Sequence, residues 1–488
     1  MKYQTDLIFD LPQTGDNTNR ILKKCDVIKP NFAEFYGEDL LREEELNIPN
    51  LSEIQVLRHY TNMSAKNFGV ENGPYPLGSC TMKYNPKVNE NMANLPGFRN
   101  THPLQPMETV QGNLMLLYNL EQQLNAILGM DHFTFQPSAG AHGELTGIMM
   151  IKAYHEANGD FDRKVMLIPD SAHGTNPASA AMAEFEIREI KSNADGLVDI
   201  EDLKQKIDDK VAGIMLTNPN TLGLFEKDVK EITGLIHAAG GLCYYDGANA
   251  NAILMQTRPG DMGFDVVHLN VHKTFGTPHG GGGPGAGPVG VKKILEPFLP
   301  TPLIKKIDNA DQSTYILAYD RPQSIGKVRA FIGSFSVCVK TYAYILAYGR
   351  QGLAEVSEAA VANSRYLLER VRNSYHVPYQ EPAMHEFIIT AARQKEKYGV
   401  TTIDIAKRLI DYGYHPPTVY FPLIVPEAMM IEPTDTETLE GLEGLADAFN
   451  AIAEEAAENP DLLKSAPHNM SITRPDETKA ARNPILKA

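Results

Sequence analysis

Cysteine is scarce in this 488-residue chain: Cys25, Cys80, Cys243 and Cys338 lie far apart and without C-x-x-C spacing. That pattern supports neither a disulfide framework nor a zinc finger, so reduced thiols of a cytosolic protein are expected. Positive charge is also in short supply. Lys plus Arg number 45 against 61 Asp plus Glu, a formal net charge of −16, which disfavours a nucleic-acid backbone or an anionic membrane as a general partner. No uninterrupted apolar run reaches the ~18–20 residues that cross a bilayer as a helix. The stretch from Met1 to Asp10 carries acids early and lacks the apolar core or Arg/Ser richness of a targeting segment, so a soluble, unexported protein is expected. No repeat with a period of ~20–50 residues is visible, which excludes a solenoid.

The composition is 43% hydrophobic and 22% charged, close to ordinary soluble domains, and the length predicts two or three lobes. Residues 1–100 are irregular and turn-rich, and read as an arm with short helices that wraps another surface. From Met107 to Leu128, Leu114, Leu117, Leu120, Leu124, Ile127 and Leu128 recur at helical spacing, and Gly129 suits a C-terminal cap. Apolar runs at Val165 to Ile168, Ala212 to Leu216, Leu242 to Tyr245 and Val266 to Val271 predict buried strands. A helical pattern through Val229, Ile232 and Ile236 ends at Gly240-Gly241 between two of them. Strand, helix, strand in series implies a mostly parallel α/β sheet over 101–330, with ligands at the strand C-terminal ends. Residues 331–488 read as a smaller α+β domain, with helices at Leu353 to Arg372 and Glu437 to Glu458 and strands near Phe387 to Thr390 and Val419 to Ile424.

The stretch His268-Leu-Asn-Val-His272-Lys273 ends a buried strand with a lysine. By itself that lysine is either the first exposed residue past the strand or a nucleophile: burial and cationic neighbours lower an amine's pKa and let it hold an aldehyde as an imine. An imine-forming cofactor also needs an anion cradle, a carboxylate and a partner for its ring face. Ser138-Ala139-Gly140-Ala141 opens a helical pattern containing Leu145, Ile148 and Met149, where free N–H groups and the Ser138 hydroxyl suit an anion, though a plain capped helix reads the same way. Asp246 follows the run Leu242 to Tyr245 and is either an Asx turn or a carboxylate for a cationic ring nitrogen. His173 lies in a strand-to-helix loop, where Asn176 suits a cap and Pro177 the first helical position. Its ring can stack on a planar group or be an ordinary polar side chain.

Two other sites compete. His268, His272 and His279 suggest metal ligands, but no acidic ligand or H-E-x-x-H frame accompanies them. The glycine-rich run Gly280 to Gly287 fits neither nucleotide-loop pattern and reads as a hinge or close-approach loop.

Taken together, Ser138 to Ala141, His173, Thr217-Asn218-Pro219-Asn220, Asp246 and Lys273, in that order, resemble the aspartate-aminotransferase-like (fold type I) pyridoxal-phosphate enzymes. More closely, Gly78-Ser-Cys-Thr-Met-Lys-Tyr-Asn-Pro86, Ser171-Ala-His-Gly-Thr-Asn-Pro177, Tyr245-Asp-Gly-Ala-Asn249, His272-Lys-Thr-Phe275, Pro278 to Gly285, Ser324-Ile-Gly-Lys-Val-Arg329 and the tail Arg474 to Ile485 resemble the glycine decarboxylase P-protein family over nearly the whole chain. Ala318 stands where an acid is expected and Gln323 where lysine is frequent; neither belongs to the cofactor set.

The resemblance implies Lys273 as the internal aldimine of pyridoxal 5'-phosphate, Asp246 at the pyridine nitrogen, His173 against the ring and Ser138, Ala139, Gly140 and Ala141 at the phosphate. It places Asn218 near the ring oxygen and adds Ala248 and His272 to the cofactor-binding set. It further implies glycine as substrate, a lipoylated H-protein as acceptor of the aminomethyl group, and a second P-protein subunit in a heterotetramer. A different pyridoxal-phosphate lyase and a catalytically silent scaffold subunit are the alternatives. The Gly280 to Gly287 run and the Gly78 to Pro86 loop are then expected to shape a mouth for the swinging arm. Replacing Gly283 with alanine should slow turnover with the lipoyl carrier; unchanged turnover would count against that role.

Overall fold

The computed structural model describes residues 6–11, 31–44, 48–280, 285–308 and 313–486. They fall into two compact units, one of 73–468 and one in which residues up to 72 group with those from 469 onward. In the smaller unit, helix Glu53–Ser64 starts at a capping box formed by Ser52 and Gln55.

The larger unit is organised by a seven-stranded sheet. Its strands are β1 (His132–Thr134), β2 (Val165–Pro169), β3 (Glu186–Ile190), β4 (Val211–Thr217), β5 (Leu242–Gly247), β6 (Val266–Leu269) and β7 (Val289–Val291), in the order β1-β7-β6-β5-β4-β2-β3. The pairs from β3 to β6 are parallel, and β7 runs antiparallel to both neighbours. The expected mostly parallel α/β sheet is therefore present. Its central strands are buried along nearly their whole length, as parallel strands covered on both faces must be.

The predicted helix before the sheet spans Gln111–Leu128 and ends at Gly129 in the left-handed conformation (φ 70°). Leu114, Leu117, Leu120, Leu124, Ile127 and Leu128 are all buried. Two strand readings need correction. The run at 266–271 stops at Leu269, because Asn270 turns the chain and its carbonyl accepts the Lys273 and Thr274 N–H groups, opening the one-turn helix Val271–Thr274. Lys273 thus lies in a helical turn after the strand, not at its end.

A second sheet orders β10 (Phe387–Thr390), β12 (Ala428–Ile431) and β11 (Thr418–Val419), all antiparallel. The strand expected over 419–424 is cut to Thr418–Val419, since Tyr420 takes a φ of 56° and Pro422 has no N–H to donate. Strands β1, β3, β7 and β12 were not anticipated, nor was the hairpin that follows; β3 is an edge strand with mostly charged, exposed positions. A hairpin of β8 (Leu303–Ile307) and β9 (Thr314–Ala318) stands apart. Helices Phe335–Val371 and Leu439–Glu458 cover the expected C-terminal helical stretches, the first interrupted at Gly349 (φ 59°). Among the described residues no helix is long and apolar enough to cross a membrane, and Cys80, Cys243 and Cys338 are free thiols. Cys25 and residues 281–284 lie outside the described residues.

Helix Gly140–Ala157 crosses the sheet on a face of small residues. A Cβ on Gly147 would stand 2.7 Å from the Tyr244 ring, one on Gly143 would stand 3.1 Å from the His268 Cβ, and one on Gly140 would stand 2.2 Å from the Asn270 side chain. The absence of side chains there lets the helix start directly over the C-terminal ends of β5 and β6.

Leu124 is fully buried in the core beneath this sheet. Leu124→Ala should lower the unfolding free energy by about 2–5 kcal/mol, read as a reduced denaturant midpoint with an unchanged slope.

Candidate active site

The ends of β4, β5 and β6 set the site. Thr217 is opposite Asp246, and Asp246 is opposite His268, so all three project from one face of the sheet in a single row. Asp246 is 3% exposed. Its Oδ2 accepts Asn176 Nδ2 at 3.0 Å, its Oδ1 accepts the Ala248 N–H at 3.0 Å, and His268 Nε2 stands 3.6 Å from Oδ1. Burial alone would raise this carboxyl, but His268, the Asn176 amide, the Ala248 N–H and Lys273 outweigh it and hold the pKa below the ordinary aspartate value. The buried negative charge is thereby kept. His268 in turn shares a hydrogen bond with the Tyr244 hydroxyl.

Lys273 is 9% exposed, and its ammonium donates to the Ser79 carbonyl at 2.6 Å. Two buried glutamates hold that loop from the second sheet, just before β10 and just after β12. Glu386 Oε2 accepts the Ser79 N–H at 2.8 Å, and Glu432 accepts the Thr81 N–H at 3.1 Å and the Thr81 hydroxyl at 2.7 Å. Asn249 adds a bond to Glu432 at 2.8 Å. Burial first, and the neighbouring Glu432 second, push Glu386 up to about 8. His385 is buried with neither ring nitrogen hydrogen-bonded among the described residues, and burial pushes its pKa down to about 3. His385, Glu386 and Glu432 offer ligand atoms within 4.8 Å of one another, but one oxygen of each glutamate is already taken by the Ser79 or Thr81 backbone N–H.

His173 reaches the same cluster. Burial lowers its pKa, the Asp246 charge opposes that effect, and Lys273 adds to it, so the three sequence-predicted residues lie within electrostatic range of one another. Asn176 is not the predicted cap: helix Thr175–Met182 begins one residue earlier, and the Asn176 amide bridges Asp246 and Glu144. Pro177 consequently takes the third helical position rather than the first.

Ser138 and Ala139 lead into helix Gly140–Ala157, where Ala139 is extended and supplies no side-chain cap. The first-turn N–H groups at Gly140, Ala141 and His142 have no intrahelical acceptors. Ser138 shares its hydroxyl with His142 Nδ1 at 3.1 Å, and burial first, then the Arg329 charge, lower the pKa of that imidazole. Arg329 of the Ser324 to Arg329 motif therefore adds positive potential at this helix start. His272 has Nδ1 buried without a partner among the described residues and packs its ring against His279, 4.9 Å between centroids.

Asn218 is the exception. Its Oδ1 accepts the Glu226 N–H at 2.9 Å and its Nδ2 donates to the Glu226 carbonyl at 3.2 Å, so both ends of the amide brace the loop after β4 and neither is presented to the site. Among the described residues the Thr217 hydroxyl at that edge is buried without a hydrogen-bond partner.

These groups fit pyridoxal phosphate: an open helix start of 18 residues for a phosphate, an ionised buried carboxylate for a ring nitrogen, and a buried lysine for the aldehyde. Sequence reasoning missed Glu144, Glu386, Glu432 and His385. Glu144 had one signal, a lone acid on the apolar face of its helix.

Known proteins resemble this chain over its whole length. Residues 150–296 match the family model "Aminotransferase class-V" and residues 356–473 match "Glycine dehydrogenase, C-terminal domain". A protein of Alkaliphilus oremlandii described as "Probable glycine dehydrogenase (decarboxylating) subunit 2" is 57% identical over 481 residues, 99% of this chain and 98% of the relative. A protein with the same description from Caldanaerobacter subterraneus is 57% identical over 487 residues, 100% and 99% of the two chains.

This chain belongs to the glycine dehydrogenase (decarboxylating) subunit 2 family.

Among solved structures, a glycine decarboxylase (P-protein) of the glycine cleavage system, in inhibitor-bound form, superposes with a TM-score of 0.74 at 18% identity, covering 91% of this chain and 99% of that one. A NifS-like protein superposes with a TM-score of 0.58 at 14% identity, over 78% and 99%. The fold is that of the fold type I, aspartate-aminotransferase-like enzymes.

Glu386 gives a pH test specific to this subunit. Its carboxyl is raised from 4.5 to about 8, so between those values the folded state holds a proton that the unfolded chain has released, and stability falls as pH rises. Glu386→Gln removes that linkage. Its stability relative to the parent should therefore improve steadily from pH 4.5 to about 8, measured by denaturant unfolding across that range.

Proposed function

We propose that this chain is the cofactor-carrying subunit of glycine dehydrogenase (aminomethyl-transferring), EC 1.4.4.2. It decarboxylates glycine and transfers the remaining aminomethyl group to the lipoyl arm of a carrier H-protein. The observation that carries this reading is the convergence of buried Lys273 and ionised Asp246 with His173, in a chain more than half identical over its full length to proteins named for glycine decarboxylation.

Lys273 would hold pyridoxal phosphate through its aldehyde, and the bound ring would supply an electron sink for the bond broken at glycine's α-carbon. Asp246, already hydrogen-bonded by Asn176 and the Ala248 N–H, would offer the carboxylate that keeps a positive charge on the ring nitrogen. His173 would cover the ring face, the Ser138 to Ala141 segment would receive the phosphate, and Ala248 and His272 would complete the set of residues around the ring. Thr217 is better placed than Asn218 for the ring oxygen, because among the described residues its hydroxyl has no partner. The Ser79 carbonyl orients the Lys273 amine. Glycine's carboxylate leaves as carbon dioxide. The electron pair it leaves behind ends in a carbon–sulfur bond to the lipoyl disulfide, whose sulfur–sulfur bond breaks and whose second sulfur takes a proton, so the disulfide is the oxidant. A subunit 1 completes a heterotetramer with two copies of each chain, and the assembly works in the cytoplasm.

Full-length chain co-purified with its partner subunit should exchange the glycine carboxyl with labelled bicarbonate when lipoyl carrier is present. Lys273→Ala should abolish both that exchange and the borohydride-sensitive visible band, and Asp246→Asn should slow exchange by roughly 10²–10³-fold, the loss typical of removing one electrostatic stabiliser. A visible band without glycine exchange would point to another pyridoxal-phosphate lyase, and no band at all to a silent scaffold.

A further inference from the structure

Behind the proposed ring partner lies a chain of hydrogen bonds in which the protons can be counted. The Thr175 backbone N–H donates to His173 Nδ1 at 3.2 Å. A backbone N–H can only donate, so Nδ1 carries a lone pair and the neutral ring has its proton on Nε2. The Thr175 hydroxyl oxygen also lies 2.8 Å from that same Nδ1. Two lone pairs would repel at that distance, so the single hydroxyl proton must lie on this contact. Thr175 Oγ1 is then an acceptor toward Glu144 Oε1, 2.8 Å away, and the proton between those two oxygens has to come from Glu144. The other carboxyl oxygen, Oε2, accepts Asn176 Nδ2 at 2.9 Å, with the Ser179 hydroxyl at 3.5 Å. The second hydrogen of Asn176 Nδ2 goes to Asp246.

We infer that Glu144 is a neutral carboxylic acid in the folded protein, and that through the Thr175 hydroxyl it fixes His173 as the Nε2–H tautomer and leaves the cluster's negative charge on Asp246. Glu144 is thus a positioning residue. An ionised Glu144 would claim the Thr175 proton for itself and leave Nδ1 facing a lone pair. It would also place a second negative charge beside Asp246.

The surroundings favour the same proton. Glu144 is 4% exposed. Burial first and the Asp246 charge second push its pKa up to about 7, against the Asn176 hydrogen bond and the charge of Lys273. Tyr244 and Tyr245 of β5 also feel the Asp246 charge, as do His268 and His173. The proton is therefore held below neutral pH and released as pH rises past it, and the His173 tautomer should loosen over the same range.

The proton placement stands on the chain's own hydrogen bonds; only its consequence for a ring face rests on the proposed function. Full-length protein labelled with ¹⁵N-histidine and assigned with His173→Gln should show His173 Nδ1 unprotonated and Nε2 protonated. A protonated Nδ1 would overturn the inference. Infrared difference spectra taken across neutral pH should contain a carboxylic-acid band that shifts with ¹³C-glutamate. Glu144→Gln should remove one component of that band, and Glu386→Gln should remove another. A band left whole by Glu144→Gln would sink the idea. That variant should keep the His173 tautomer at all pH values, since its amide N–H replaces the carboxyl proton, whereas Thr175→Val should keep the Glu144 band and release the tautomer. If Glu144→Gln does not fold, the parent's ¹⁵N spectrum and Thr175→Val still decide. Failure of the catalytic reading is distinguishable, because Lys273→Ala abolishes exchange while leaving the tautomer in place.

Discussion

Everything at the centre of this protein is arranged around one buried negative charge. An ionised carboxylate removed from water costs several kcal/mol unless its lone pairs are filled and a cation is close. Asp246 meets that requirement through Asn176, the Ala248 N–H, His268 and the charge of Lys273. The register of β4, β5 and β6 puts Thr217, Asp246 and His268 in one row. The turn after β6 brings Lys273 to the same end of the sheet. A sheet slipped by one residue would send Asp246 to the opposite face, so the charge and the sheet register specify each other.

Two further devices make the geometry rigid. The glycine-lined face of helix Gly140–Ala157 presses its N-terminus onto β5, β6 and Asn270, aiming unpaired N–H groups and helix dipole at the same edge. On the other side, the Ser79–Thr81 segment is held by Glu386 and Glu432 and in turn holds the Lys273 amine. Lys83, 2% exposed and paired with Asp435 at 3.0 Å, anchors the same loop further along. The lysine is thus supported by residues more than a hundred positions away on either side in sequence.

Much of this was legible locally. The buried runs of β2, β4, β5 and β6 are continuous apolar stretches, the mark of parallel strands covered on both faces; Asp246 and Lys273 come directly after or within a few residues of two of them, and Ser138 to Ala141 opens a helical pattern. The edge strand β3 was hidden by its charged positions. The partners of Asn218 were not legible, because an amide in a loop after a strand gives no sign of which groups it will meet, and here Glu226 meets both ends. Glu144, Glu386 and Glu432 were missed because an acid in a helix or beside a strand reads as solvated surface until packing encloses it.

By itself, then, the sequence determined the α/β alternation, the helix ends and the kinds of residue at the strand ends, because these depend on hydrophobic period and on backbone groups a few residues apart. Only the tertiary structure decided which charges survive burial. Whether Glu144 holds a proton while Asp246 does not depends on hydrogen bonds from helix Thr175–Met182 and on an imidazole from β6. Those partners lie 22 to 70 residues from one carboxyl or the other. Protonation in a buried cluster is a property of that enclosure and of the few donors inside it.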